Sequence, residues 1–237
     1  MHLIFTMAGL YSRFENFSLN VPKYLLPYKS KSVFYEIVNA FASKEIDKVS
    51  FIVNKRDSNY FRLIEHQIKN LKIKKYNFII IEKTNSQIET AYKGITKIFN
   101  DNSKIPIAIT SIDTIIENRN FKLYKKQMEI NDCLVDIFRS SNRGYSYVIF
   151  DKNYKVKNIK EKIVISDFAS SGLYVFKNSN ILLEQLNISV NEKETYFSQM
   201  INRMIQDNHK VTCNKIRKSE NTIVLGTPEQ YLSEIQK

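Results

Sequence analysis

Tryptophan is absent from this chain, and cysteine occurs only twice, proline four times and glycine five times. Cys133 and Cys213 stand far apart and form no C-x-x-C, which excludes a disulfide framework and a thiolate zinc site. His2, His66 and His209 are scattered, each read as an exposed or internally satisfied imidazole. Neither G-x-S-x-G nor H-E-x-x-H occurs. No apolar run reaches membrane-spanning length, and no charged N-terminal region leads into a signal-like core. The chain therefore reads as cytoplasmic, with no membrane insertion. Without a linker, repeat or low-complexity segment, residues 1–237 read as one domain.

What is present is an apolar content of 43%, enough for a substantial core, and a formal net charge of +12. Such a charge suits nucleic acid, an acidic membrane surface or a polyphosphate substrate. The lysines are spread along the chain among many Ile and Asn residues, as a general compositional bias. The densest groups, Lys69 to Lys75 and Lys152 to Lys162, fall at predicted helix ends or hairpin turns and read as solvated faces. No aromatic-basic RNA signature stands out, so no nucleic-acid partner is expected. Oligomeric state is not legible.

Along the chain, short apolar runs alternate with helical spacing. Leu3-Ile4-Phe5, Val49 to Val53, Phe78 to Ile81 and Pro106 to Ile109 read as buried strands. Between them lie a helix from Val33 capped by Ser32, a second through Leu63, Ile64, Ile68 and Leu71 capped by Asp57, and a third from Gln87 to Phe99. This alternation predicts an α/β fold with a predominantly parallel sheet covered by helices. The second half changes rhythm. Tyr145 to Phe150 turns at Asp151-Lys152-Asn153 into Val156 to Ile159, an antiparallel hairpin added to a mixed sheet. Leu134 to Phe138 and Gly172 to Phe176 are further strands. Helical runs from Asn180 to Leu186 and Thr195 to Gln206 precede a last strand and a short helix from Pro228.

The chemistry gathers where the first strand ends, at Thr6-Met7-Ala8-Gly9-Leu10-Tyr11-Ser12-Arg13-Phe14. A strand running into a small-residue turn and an Arg presents backbone amides and a planar donor fork to an anion. Lys23, between Pro22 and a second apolar run, can reach the same place. Asp113 follows an apolar strand directly, which puts a carboxylate at the strand end where open α/β sheets bind ligands.

Together, Ala8, Gly9, Ser12, Arg13, Pro22-Lys23, Leu25-Leu26-Pro27 and Lys31 resemble the N-terminal signature of the sugar-phosphate nucleotidyltransferases, closest to a short branch with the turn M-A-G-x-G-S-R-F. Three later blocks resemble the family as well. Thr84 to Thr90 is similar to T-x-G-Q-A-x-T. The stretch from Val156 through Glu161-Lys162 to Gly172-x-Tyr174-x-Phe176 is similar to I-x-E-K-P followed by A-x-x-G-x-Y-x-F. Leu225-Gly226-Thr227-Pro228-Glu229-Gln230-Tyr231-Leu232 is similar to the closing G-T-P-E-D-L. The resemblance covers nearly the whole chain and implies a Rossmann-like fold and a nucleotidyltransferase. It implies that an NTP and a phosphorylated sugar, polyol or other small alcohol give an NDP-activated product and pyrophosphate, with Mg²⁺, in capsule, lipopolysaccharide or other surface-glycan synthesis.

By that resemblance Arg13, Lys23 and Asp113 are catalytic, with Asp113 on the metal. Met7, Ala8, Gly9 and Gln87 bind the nucleotide, Gln87 at the base. Glu161, Lys162 and Gly172 bind the acceptor. The chain departs from the pattern at Tyr11, where the family carries glycine, and a Tyr is expected to resist a positive φ there and to crowd the triphosphate. It departs again at Val224, where many members carry an Asp that supplies a second metal ligand; Asp167 is the substitute offered here. Two rival readings follow: a nucleotide-binding module without catalysis, and a glycosyltransferase using an NDP-sugar, for which Ser111-Ile112-Asp113 offers only one acid of a D-x-D pair.

Overall fold

Leu3, Ile4 and Phe5 are buried from both sides, and the strand they form, β1 (His2–Thr6), is the axis of the molecule. A computed structural model describes residues 1–14, 17, 21–71, 73, 75–99 and 103–237. After β1 comes a small ribbon, β2 (Pro27–Tyr28) with β3 (Lys31–Ser32), and then α1 (Val33–Ala40). The Ser32 hydroxyl accepts from the Tyr35 amide and caps α1, as expected. The chain then alternates through β4 (Lys48–Asn54), α2 (Phe61–Asn70), β5 (Tyr76–Ile81), α3 (Gln87–Ile98) and β6 (Ile107–Ser111).

The second half supplies β7 (Thr114–Glu117), α4 (Phe121–Gln127), β8 (Cys133–Arg139), β9 (Ser146–Phe150), β10 (Val156–Glu161) and β11 (Phe168–Phe176). It closes with α5 (Ser179–Asn191), α6 (Phe197–Gln206), β12 (Val211–Cys213), β13 (Asn221–Val224) and α7 (Pro228–Ile235).

Among the described residues one nine-stranded sheet runs β10-β9-β11-β6-β1-β4-β5, with β8 on β11 and β12 on β8. β1, β4, β5 and β6 are mutually parallel, while β11 joins β6 antiparallel and β9 and β10 form the expected hairpin. The result is a Rossmann-like mixed sheet. Two apolar clusters cover its faces, one around Phe5, Phe34 and Phe51, the other around Ile4, Ile52 and Phe176. A separate ribbon pairs β7 with β13. It is tied to β8 by Arg119, whose guanidinium donates to Asp136 and to the Glu117 and Asn221 carbonyls, with all of its side chain buried.

Several local expectations change. Asp57 does not cap α2; Lys55–Tyr60 is a 3₁₀ segment capped by Asn54, and the buried Asp57 carboxylate turns inward. β5 is an edge strand rather than a buried one, with Ile80 46% exposed, because β4 pairs with it on one side only. α6 starts at Phe197, two residues after Thr195, and α5 runs on to Asn191. His2 is an internally satisfied imidazole, with Nε2 2.7 Å from the Ser50 hydroxyl. Of the basic groups, Lys72 and Lys74 lie outside the described residues. Lys152 sits in the hairpin turn, and Lys157 and Lys160 on edge strand β10 place charge along an otherwise open edge.

Candidate active site

The order of connection reverses between β1 and β6: the chain steps from β1 outward to β4 and β5, then returns to the other side of β1 as β6. A crevice forms outside the carboxyl ends of strands at such a switch. Thr6 and Ser111, partners at the ends of β1 and β6, line a cleft of about 720 Å³ there. The turn after β1, the Thr84–Thr90 segment and Asp113 all reach this cleft, as their positions in sequence predicted.

The turn is held from behind. The Met7 amide donates to the Ile52 carbonyl (2.8 Å), Asn54 Nδ2 to the Ala8 carbonyl (3.2 Å) and Arg56 Nη2 to the Gly9 carbonyl (2.9 Å). Met7, Gly9 and the exposed Arg13 line the cleft, whereas the Ala8 side chain is buried in the core beside Ile4 and Ile52. Around the Cα of Gly9 a Cβ would meet nothing within 4 Å, so the approach to its backbone is open. Tyr11 overturns the expectation attached to it: it does take a positive φ, 40°. Its hydroxyl donates to Asp57 Oδ1 (2.8 Å) and its ring lies under the Arg56 guanidinium at 3.8 Å.

Lys23, on a short 3₁₀ turn, crosses the cleft floor to donate from Nζ to Asp113 Oδ2 at 2.7 Å. Their side chains are 18% and 26% exposed. Asp113 Oδ1 accepts from the hydroxyls of Ser111 and Thr114. Burial pushes the Asp113 carboxyl up, but the Lys23 charge and these hydrogen bonds outweigh it and hold the group below the ordinary Asp value.

At one end of the cleft stand Thr84 and α3. Ser86 caps the helix by accepting from the Glu89 amide, and the exposed Gln87 lines the cleft. The Gln87 and Ile88 amides both donate to the Thr195 carbonyl, joining this end to the segment before α6. At the other end Glu161, last residue of β10, accepts on Oε2 from Ser146 and from Ser198 (2.7 Å). Lys162 has φ 55°, donates to the Tyr196 hydroxyl at 3.0 Å and lies 4.7 Å above its ring centre. Gly172 occupies the irregular stretch of β11, where the register with β8 shifts, at φ 84°. That conformation favours glycine, and a Cβ there would face the Ser111 hydroxyl at 3.7 Å. Arg13, Lys23, Gln87, Asp113, Glu161, Lys162 and Gly172 thus share one cleft. Asp167, offered as a second metal ligand, is exposed and does not line it; Val224 does.

The profile of the nucleotidyl transferase family matches residues 6–236. The chain belongs to that family, and it is a nucleotidyltransferase. A search of curated proteins finds no match. Among solved structures, the chain is similar to a nucleoside-diphosphate-sugar pyrophosphorylase from Vibrio cholerae, with 25% identity, TM-score 0.85 and all of both chains covered. Two others share the fold: a putative glucose-1-phosphate thymidylyltransferase from Bacillus anthracis (14% identity, TM-score 0.81, 99% of this chain and 93% of that one) and a UDP-glucose pyrophosphorylase complexed with UDP-glucose (15%, 0.77, 99% and 97%).

For a nucleotidyltransferase the donor set at Asp113 fits magnesium. Among the described residues no group of three or more His, Cys, Asp or Glu side chains could cage a metal. Magnesium is commonly held by one or two carboxylates with substrate phosphates, so one Asp suffices for an ion that arrives with a nucleotide. Residues that sequence reasoning did not single out complete the nucleotidyltransferase's cleft: Ser146 and Ser198 on Glu161, and Tyr196 under Lys162; Gln230, within the closing block, donates from Nε2 to the Tyr145 hydroxyl at 2.9 Å. The hydroxyls of Ser146, Ser198 and Tyr196 come together from distant segments and carry no local signal.

Proposed function

We propose that this enzyme transfers a nucleotidyl group from an NTP to the phosphate of a sugar, polyol or small alcohol, releasing pyrophosphate and an NDP-activated product. The reading is supported most by one observation: the Lys23–Asp113 pair, 2.7 Å apart, lies in the cleft that also holds the glycine turn with Arg13 and the Glu161–Lys162 end. An acceptor phosphate oxygen would attack the α-phosphorus as the bond to pyrophosphate breaks. That oxygen is already anionic at neutral pH, so the site needs no general base and catalysis rests on positioning and charge stabilisation. Arg13 and the backbone at Met7 and Gly9 would bind the triphosphate, Gln87 the base, and Lys23 the α-phosphate as charge develops. Glu161 would accept from acceptor hydroxyls, Lys162 would meet its phosphate, and the Gly172 backbone would pack against it. Asp113 would hold Mg²⁺, which when bound neutralises phosphate charge.

The proposal extends to a single nucleotidyltransferase domain over residues 1–237, working in the cytoplasm on precursors of capsule, lipopolysaccharide or another surface glycan. No helix among the described residues is long and apolar enough to cross a membrane, which agrees with that setting. Val224 at the cleft favours a second reading, a nucleotide-binding module without turnover. Pyrophosphate release with Mg²⁺, each NTP in turn and a panel of phosphorylated acceptors tests the choice. Release with one NTP and one acceptor class, lost in Lys23→Met, supports the enzyme. Tight NTP binding with no release supports the module, and no NTP binding removes both.

A further inference from the structure

We propose that Asp57 is the positioning residue of the nucleotide end, fixing the phosphate-binding turn and the Lys23 segment in register through two tyrosine hydroxyls. The inference rests on the reading of the cleft given above. Asp57 is 1% exposed and does not line the cleft, so it touches no substrate. Yet its carboxylate is fully engaged, and each oxygen serves a different segment. Oδ1 accepts from Tyr11 (2.8 Å) and from Arg56 Nε (3.2 Å); Oδ2 accepts from Tyr24 (2.9 Å), the immediate neighbour of Lys23. Burying a carboxylate among three donors holds all of them, because leaving either oxygen unmet in that interior is strongly unfavourable.

The same short stretch of chain also sets the direction of the turn's peptides. Asn54 and Arg56 draw the Ala8 and Gly9 carbonyls toward β4. In a trans peptide the N–H points opposite to the C=O, so the amides of Gly9 and Leu10 face away from β4, on the side where both residues line the cleft. Tyr11 then holds a left-handed backbone that its Cβ disfavours, secured by Asp57 at the hydroxyl and by Arg56 on the ring. In place of a glycine that merely permits the turn, this chain has a side chain that anchors it.

Four variants test the assignment: Tyr11→Phe, Tyr24→Phe, Asp57→Asn and Tyr11→Gly. The readouts are hydrogen exchange at the amides of residues 9–13, NTP affinity by titration, and turnover at saturating NTP. Losing a hydrogen bond to a charged group is worth roughly tenfold or more. Tyr11→Phe is expected to speed exchange in the turn and weaken NTP binding about tenfold, with turnover within about threefold. Tyr24→Phe is expected to leave affinity within about threefold and lower turnover about tenfold. Asp57→Asn should do both, and the two phenylalanine variants keep the test alive if it folds poorly. Tyr11→Gly relieves the backbone but removes the anchor, so it should bind NTP more weakly than the parent. Equal or tighter binding by Tyr11→Gly, or unchanged exchange in Tyr11→Phe, overturns the assignment. So do melting shifts in the phenylalanine variants without the split between affinity and turnover. If the parent binds no NTP, the functional reading falls, while exchange in the turn still judges the anchor itself.

Discussion

Replacing Lys23 by methionine removes one charge from the cleft and keeps an unbranched apolar stem. The Lys23 side chain is 18% exposed and its ammonium sits 2.7 Å from Asp113 Oδ2, so the charge is largely shielded from bulk water. One preorganised donor aimed at charge that develops in a transition state contributes about 10²–10³ in turnover, or ~3–4 kcal/mol. Ground-state binding would keep Arg13 and the turn backbone, so NTP affinity is expected to move by less than about threefold, ~0.6 kcal/mol. The variant also strips Asp113 of the charge that offsets its burial, so the acid limb of kcat/KM should move to higher pH. Stopped-time pyrophosphate assays across pH, paired with NTP titrations, measure all three quantities. Affinity weakened by the same factor as turnover would mean Lys23 binds substrate and transition state alike, and the assigned role would be wrong.

Three predictions concern the scaffold. Asp136→Ala leaves the buried Arg119 without its carboxylate and should cost about 3–5 kcal/mol, a fall in Tm of roughly 10 °C, read by calorimetry; a change within about 2 °C would contradict it. Burial, with the Lys48 and N-terminal charges, lowers the His2 imidazole to about 4. The unfolded chain takes up that proton first, so His2 should have no effect on stability above about pH 6.5 and withdraw roughly 3 kcal/mol as pH falls to about 4; His2→Gln should remove this slope, and an NMR titration midpoint near 6.5 in the folded parent would refute it. At Gly94 in α3 a Cβ would lie 2.3 Å from Ile52 Cδ1 and 2.7 Å from Cγ2. Gly94→Ala should therefore lose more to overpacking, about 1–3 kcal/mol, than the roughly 1 kcal/mol that helix propensity returns, and Ile52→Val should recover part of it in urea melts.

Periodicity and one cap, Ser32, made the architecture legible, because continuous apolar strands, helical spacing and a Ser before a helix are local signals. β1, β4, β6, α1 and α3 were all readable, and so was the β9–β10 hairpin. β5 was misjudged because an apolar run does not reveal whether a strand has one neighbour or two. Asp57 was misjudged because its position before a helix fits a cap, while its partners Tyr11 and Tyr24 are brought to it only by the fold. Tyr11 shows the same limit: steric preference argued against a positive φ, and tertiary hydrogen bonding reversed the outcome. At the site, Lys23, Asp113, Glu161 and Lys162 were visible through the family pattern. The hydroxyls that orient Glu161 come from Ser146 and Ser198, on β9 and α6, a pairing that no spacing in the chain announces.

Helix starts are usually places where amides wait for an anion. At the start of α3 the Gln87 and Ile88 amides are already bound to the Thr195 carbonyl, so this terminus acts as a strut and not as a phosphate cradle. The strut's far end lies next to Tyr196 and Ser198, which hold Lys162 and Glu161. If Gln87 reads the base and Glu161 and Lys162 hold the acceptor, as proposed, the two choices are mechanically linked in this enzyme. On that proposal, a change in residues 195–198 that altered acceptor preference would also shift the footing of Gln87, and each preference should be assayed against the other.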